Sequence, residues 1–330
     1  TSTVIDFEPD AIYKDGNEHF MIKETLEQPS TFSSALRGRV SFETHQVTLD
    51  DLPLTHNDIN NLQRIILIGM GTSYNAGAVG KHWFERIAQI PTEIDNSSEF
   101  RYRDPLIDRN TLVLSISQSG ETADTLAAME TAKLKDSFQV TICNREGTQS
   151  TRMADVSLFI NAGQEIGVAA TKTFTNTLVS LYLFAASLGY QKNVLSAGQV
   201  DQLLKEVSRL PSMVQNMLDD QQAYIEIAEK FHTYENFLYL GRGLNYPIAM
   251  EGALKLKEVS YIHAEGYPAG EMKHGPISLI DERMPVVALI PTDTMHSKML
   301  SNINEAKARD GIVIAVATEK DRSVDNKADY

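Results

Sequence analysis

The feature that most constrains this chain is a duplication. An apolar run ending in Gly-x-Gly, "RIILIGMG", opens onto a helical pattern from Tyr74 to about Ile87, and the same order returns at "NFLYLGRGLNYPIAMEG". Later runs answer one another in the same way: "LVLSISQSG" and "QVTICN" in the first half, "MPVVALIPTDT" and "GIVIAVATE" in the second. Gly69 and Gly241 lie 172 positions apart, Leu112 and Val286 174, Val140 and Val313 173, and a tyrosine (Tyr74, Tyr246) follows each first glycine at the fifth position. A period this long marks a duplicated domain rather than a solenoid. Short apolar runs alternating with helical patterns predict parallel βαβ units with right-handed crossovers and helices on both faces. The expected fold class is α/β, as two tandem α/β/α sandwich domains with parallel sheets.

The rest of the chain fits around these copies. Residues 1–50 read as a polar linker with one amphipathic piece, "EHFMIKETLEQP", ended by Pro29. The first domain is expected over 51–205, including a buried helix at "TLVSLYLFAASLGY" (Thr177 to Tyr190). A connecting helix kinked by Pro211 is expected over 206–235, and the second domain over 236–330. The second copy reads as incomplete, stopping in "EKDRSVDNKADY" after its third strand, so Tyr330 is not the expected natural end.

A net charge of -14 without any block of Lys or Arg argues against nucleic acid or an anionic membrane as the main partner. The helical apolar run falls short of the roughly 20 residues that span a bilayer. The first residues given have no basic segment and no apolar core, so no signal peptide is expected among them. A single cysteine, Cys143 in "VTICN", rules out a disulfide within the chain and reads as a buried strand residue, in keeping with a cytoplasmic location.

In open parallel sheets, ligands bind beyond the carboxyl ends of the strands. Two polar loops leave such ends, "GMGTS" (Gly69 to Ser73) and "SQSGET" (Ser117 to Thr122), and both open helices, whose N-terminal amides favour anions. Ser73, Ser117, Ser119 and Thr122 add hydroxyls and Gln118 an amide, together a neutral cradle suited to a phosphomonoester. The plainer account is that Ser119 or Thr122 caps the following helix, which uses one or two hydroxyls of the set. A dinucleotide fingerprint fails, because Tyr74 stands where the third glycine belongs and the acidic residue expected roughly 20 residues on has no clear match. In the second copy, Glu251, Lys255 and Glu258 share a helical face, which by itself reads as a solvated salt-bridge stripe, and His274, between glycines, reads as a surface residue of a loop. Together these groups offer an acid–base set of the kind sugar isomerisation requires. No cofactor and no metal is expected.

The motifs "GMGTSYNAG", "SQSGETADT", "EIGVAATKTF", "EGALKLKE" and "GEMKHGP", in this order, resemble the isomerase part of the glutamine–fructose-6-phosphate aminotransferase (glucosamine-6-phosphate synthase) family, which consists of two sugar-isomerase (SIS) domains. "EHFMIKETLEQP" resembles that family's linker between its glutaminase and isomerase parts. The resemblance implies formation of glucosamine 6-phosphate from fructose 6-phosphate with ammonia from glutamine; glucose 6-phosphate is the aldose partner in simple isomerisation. It assigns Ser73, Ser117, Gln118, Ser119 and Thr122 to the phosphate, with Thr72 and the backbone at Val168 and Ala169 lining the sugar. Glu258 would carry the proton between C1 and C2, Lys255 would contact the hydroxyl near C2, and His274, supplied across a homodimer interface, would open the ring. Met70 stands where many relatives carry Cys, and Ala170 where some carry Ser. None of the motifs quoted belongs to the family's glutaminase part, so glutamine hydrolysis is not expected of these residues. The family's Schiff-base lysine belongs to a C-terminal tail beyond Tyr330, and Lys255, Lys257 and Lys273 are not its equivalents. Two other readings stay open: a SIS sensor module that binds a sugar phosphate without turnover, against which no basic helix-turn-helix segment is found, and a stand-alone sugar-phosphate isomerase.

Overall fold

A computed structural model describes residues 13–41, 43–44, 46–49 and 53–330. The remainder of the expected linker, including residues 1–12 and 50, lies outside the described residues. The chain begins with helices Phe20–Leu26 and Gln28–Leu36, then a two-stranded antiparallel ribbon, β1 (Val40–Ser41) and β2 (Gln46–Val47). Pro29 stands in the first turn of the second helix, where its missing N–H costs nothing, rather than closing the first.

The first sheet is parallel and five-stranded: β3 (Arg64–Gly69), β4 (Thr92–Asn96), β5 (Thr111–Ile116), β6 (Phe138–Cys143) and β7 (Val156–Phe159), in the order β4-β3-β5-β6-β7. Its central strands are near-continuous apolar runs because both faces are covered. Ile65, Leu67, Leu112 and Leu114 pack on one face with Phe84, Leu181 and Phe184, while Ile66, Ile68 and Val113 pack on the other with Phe100, Ala128 and Met129. Phe84 and Phe184 meet edge to face with centroids 5.6 Å apart. Phe184 belongs to helix Lys172–Gln191, which contains the predicted buried run and is apolar on nearly every side.

The second sheet repeats the plan with β8 (Asn236–Gly241), β9 (His263–Pro268), β10 (Val286–Ile290) and β11 (Val313–Ala317), in the order β11-β10-β8-β9, all parallel. The duplication therefore extends to strands the sequence reading left out, β4 and its counterpart β9. It extends further still. In the first copy the Asp155 amide donates to Gln139 O at 2.9 Å, and the Asp155 carboxylate accepts from Gln139 N at 2.8 Å. In the second copy Asp329 makes the same pair of bonds with Val313, both at 2.8 Å. Ala315 N also donates to Tyr330 O at 2.7 Å, so the last residues lie along the open edge of β11, in the place β7 takes beside β6. No strand is assigned after β11 among the described residues, where the sequence reading has the second copy stop.

After Lys172–Gln191 the sequence runs through three further helices, Ala197–Val207, Leu210–Asp219 and Gln222–Phe231, the last two standing where one kinked connecting helix is expected. Pro211 causes the first break, since it sits in the opening turn of Leu210–Asp219. Among the described residues no helix is long and apolar enough to cross a membrane.

Candidate active site

The strand order of the first sheet reverses between β3 and β5, which run side by side in parallel. A crevice opens at such a reversal, beyond the carboxyl ends of the two strands. The loops that leave these ends are the two serine-bearing loops, followed by helices Thr72–Trp83 and Ala123–Lys133. Topology thus brings Thr72 and Ser73 beside Ser117, Gln118, Ser119 and Thr122.

Within the second loop, the buried Ser117 hydroxyl accepts from Gly120 N at 3.1 Å and lies 3.1 Å from the Thr122 hydroxyl. Ser119 Oγ accepts from Glu121 N at 3.2 Å. Thr122 is the residue that precedes the helix, yet its side chain makes no capping bond, and the bond to Ser119 stays inside the loop. Capping therefore accounts for neither hydroxyl. The loop instead holds itself in shape and leaves the first amides of Ala123–Lys133 without a side-chain partner. Gly120 makes the turn possible, with φ +66 and with Thr148 Oγ1 filling the place where a Cβ would stand.

The second copy contributes the helix Asn245–Ser260, which packs against Thr72–Trp83. Glu251 is 5% exposed, and its carboxylate accepts from the Thr72 hydroxyl at 2.9 Å and from Asn75 Nδ2 at 2.8 Å. Lys255, one turn on, lies 3.2 Å from Glu251 and 2.6 Å from Glu258, and donates to Thr72 Oγ1 at 3.1 Å. The Glu251–Lys255–Glu258 stripe is therefore solvated only at its Glu258 end. Its inner end is a buried network joining the two copies beside the polar loops. A carboxylate reachable from solvent, paired with an ammonium and next to an anion-favouring cradle, can take a proton from a carbon acid and return it.

The motif "EIGVAATKTF" forms the segment between β7 and helix Lys172–Gln191. Val168 is 95% exposed and Ala169 1% exposed, so their side chains face opposite ways. The Glu165 carboxylate accepts from Thr171 N at 2.9 Å, from Thr173 N at 3.2 Å and from both threonine hydroxyls, closing the segment onto the start of the helix. From outside it is held by Glu24, whose carboxylate accepts from Ile166 N at 2.6 Å and Gly167 N at 3.1 Å. Beside it, Lys172 and Glu27 form a 2.6 Å ion pair. The sequence reading passed over Glu24, Glu27 and Lys172. The available signal was a pair of carboxylates on a short amphipathic helix, which ordinarily means a solvated face. Lys23, on the same helix, is buried; burial would lower its pKa, but Asp15 and Glu27 outweigh that and hold the ammonium above its usual range.

His274 ends the turn of helix Ala269–His274, is exposed, and its side chain makes no hydrogen bond or ion pair among the described residues. The single chain does not bring it to Glu258. Lys273 pairs with Glu305 at 2.8 Å, and Lys257 is exposed. Met70 and Ala170 are half-buried. Among the described residues no three His, Cys, Asp or Glu side chains converge as a metal site would require.

The SIS domain model matches residues 58–187 and 230–330. The glutamine–fructose-6-phosphate aminotransferase (isomerizing) of Caldanaerobacter subterraneus is 43% identical over 98% of this chain and 53% of its own length. The chain spans about half the length of the curated relatives it matches. Among solved structures, the C-terminal domain of glucosamine-fructose-6-phosphate aminotransferase from Francisella tularensis superposes with a TM-score of 0.90 at 40% identity, covering 96% of this chain and 88% of that one. The tagatose-6-phosphate ketose/aldose isomerase of Escherichia coli shares the fold at 18% identity, with a TM-score of 0.71 over 94% of this chain and 85% of that one.

Proposed function

The chain belongs to the SIS-domain family, and from that membership we propose that it is the sugar-isomerising half of a glutamine–fructose-6-phosphate aminotransferase, acting in the cytoplasm. Its substrate is fructose 6-phosphate, its product glucosamine 6-phosphate, and its ammonia comes from a glutaminase part. In this reading the domains keep the bounds 51–205 and 236–330, joined by 206–235.

Ser73, Ser117, Gln118, Ser119 and Thr122, with the amides opening Ala123–Lys133, take the phosphate. Thr72 and the backbone at Val168 and Ala169 line the sugar. His274 of a second subunit in a homodimer protonates the ring oxygen and opens the ring. Glu258 then removes the proton at one of C1 and C2 and delivers it to the other, while Lys255 donates to the hydroxyl near C2. Lys255 is paired to Glu251 and Glu258, which suits a charged donor and not an amine nucleophile, so no covalent step is assigned to it.

The observation that supports this reading is the position of Lys255, 2.6 Å from Glu258 and 3.1 Å from Thr72, which opens the helix after one of the two serine-bearing loops. The test is conversion of fructose 6-phosphate to glucose 6-phosphate by the full-length protein and its Glu258→Gln variant. We expect kcat to fall at least a hundredfold, within the range general bases contribute. Undiminished turnover in the variant would remove Glu258 from the chemistry.

A further inference from the structure

The helix pair at the start of the described chain is tied to the Val168 segment by Glu24 and to the helix that follows it, Lys172–Gln191, at two more points. Glu24, 2% exposed, accepts from the successive amides of Ile166 and Gly167. Glu27 pairs with the buried Lys172. Thr31 O accepts from Asn176 Nδ2 at 3.0 Å. The segment from Asn161 to Thr171 has no strand partner, so its amides depend on such side chains to be satisfied. A carboxylate receiving two consecutive N–H groups is a charge-assisted clamp on backbone geometry. Gly167 is part of the same fit, because a Cβ there would stand 2.5 Å from Glu24 Oε2.

We propose that Glu24 is a positioning residue for the sugar: by clamping Ile166 and Gly167 it presents the backbone at Val168 and Ala169, the next two residues, to the substrate. The inference rests on the function proposed above. It assigns the clamp a task separate from the phosphate grip, which is built from the loops after β3 and β5 and has no contact with Glu24. When the clamp is lost, the fraction of molecules with the segment in place falls, and apparent sugar affinity falls with it.

The experiment measures binding of glucosamine 6-phosphate and of inorganic phosphate by calorimetry, using the full chain and its Glu24→Ala, Glu24→Gln, Gly167→Ala and Glu24→Ala/Gly167→Ala variants. Glu24→Ala should weaken glucosamine 6-phosphate by roughly tenfold while phosphate affinity stays within about twofold. Glu24→Gln, which keeps one acceptor oxygen, should fall between. Gly167→Ala should copy the Glu24→Ala loss, and the double variant should be no worse than either single one, as residues acting through one contact are non-additive. Equal loss of sugar and phosphate affinity, or sugar affinity unchanged in Glu24→Ala and Glu24→Gln, overturns the inference and leaves the function standing. Failure of the unaltered chain to bind glucosamine 6-phosphate overturns the function and the inference together.

Discussion

The Thr72 hydroxyl, at the first turn after β3, donates at 2.9 Å to the carboxylate of Glu251, 179 positions later in the chain. With Asn75 and Lys255 this bond locks the two copies together next to the proposed phosphate loops. Removing one member of a buried charged network leaves its partners without compensation. Glu251→Ala should therefore lower the free energy of urea unfolding by about 3 kcal/mol. Glu251→Gln, of the same shape, should cost less. A change below about 0.5 kcal/mol in the alanine variant would mean that the copies are held by packing alone.

The Gly120 turn gives a second prediction. An alanine there would have to adopt φ +66 and displace Thr148. Gly120→Ala should destabilise the protein by about 1–3 kcal/mol and, by moving Ser119 and Thr122, weaken phosphate binding. Phosphorus NMR titration of the variant with inorganic phosphate checks this, and an unchanged affinity would take the loop out of the anion site.

His274 yields a test that does not depend on stability. Glu258→Gln and His274→Ala should each be inactive alone. If each site draws Glu258 from one subunit and His274 from the other, remixing them yields one intact site per mixed dimer and recovers roughly a quarter of full activity. No recovery after verified subunit exchange would place both residues in one subunit's site.

Cys143 is buried at the end of β6, and that burial pushes its thiol up to about 11. Only the thiolate reacts at an appreciable rate. A maleimide at pH 8 should leave native protein unlabelled and label it fully in denaturant. Rapid native labelling would contradict the packing around β6.

Asp321 carries the acid-side prediction. Hydrogen bonds from the Ser323 hydroxyl and amide, then from His296, hold its carboxyl down from 3.8 to about 2. The folded state therefore binds this proton more weakly than the unfolded one. The contribution to stability is complete above about pH 4 and is lost as pH falls toward about 2. Carbon-detected NMR titration should place the carboxyl well below the ordinary range, and Asp321→Asn should flatten the acid limb of the stability profile. An ordinary titration in the native protein would refute the assignment.

What the sequence disclosed follows from where apolar side chains are concentrated. The strands β3, β5, β6, β8 and β10 are buried along nearly all of their length, so each stands out as a largely apolar run, and the edge strand β11 still reads "VIAVA" although its last residues emerge. β4 reads "TEIDN" and β9 "HAEGYP" because both lie at sheet edges, where polar residues, Gly and Pro are tolerated. The polar loops were legible because Ser and Gly in such density have little use in a plain loop. The buried contacts of Glu24 and Glu251 were not, since a carboxylate on a helix looks the same in sequence whether it faces water or, as these two do, another segment of the chain. Burial of that kind is decided by contacts 142 and 179 residues distant.

The Thr72–Glu251 bond also sets an order in time. The first copy, with both of its polar loops, leaves the ribosome as a unit, and domains emerging first generally fold first. At 5–20 residues per second, the helix bearing Glu251 arrives on the order of ten to forty seconds after Thr72. For that interval the nascent protein would carry the proposed anion grip without the proposed acid–base partner, and could be steadied by its ligand before it is able to alter it.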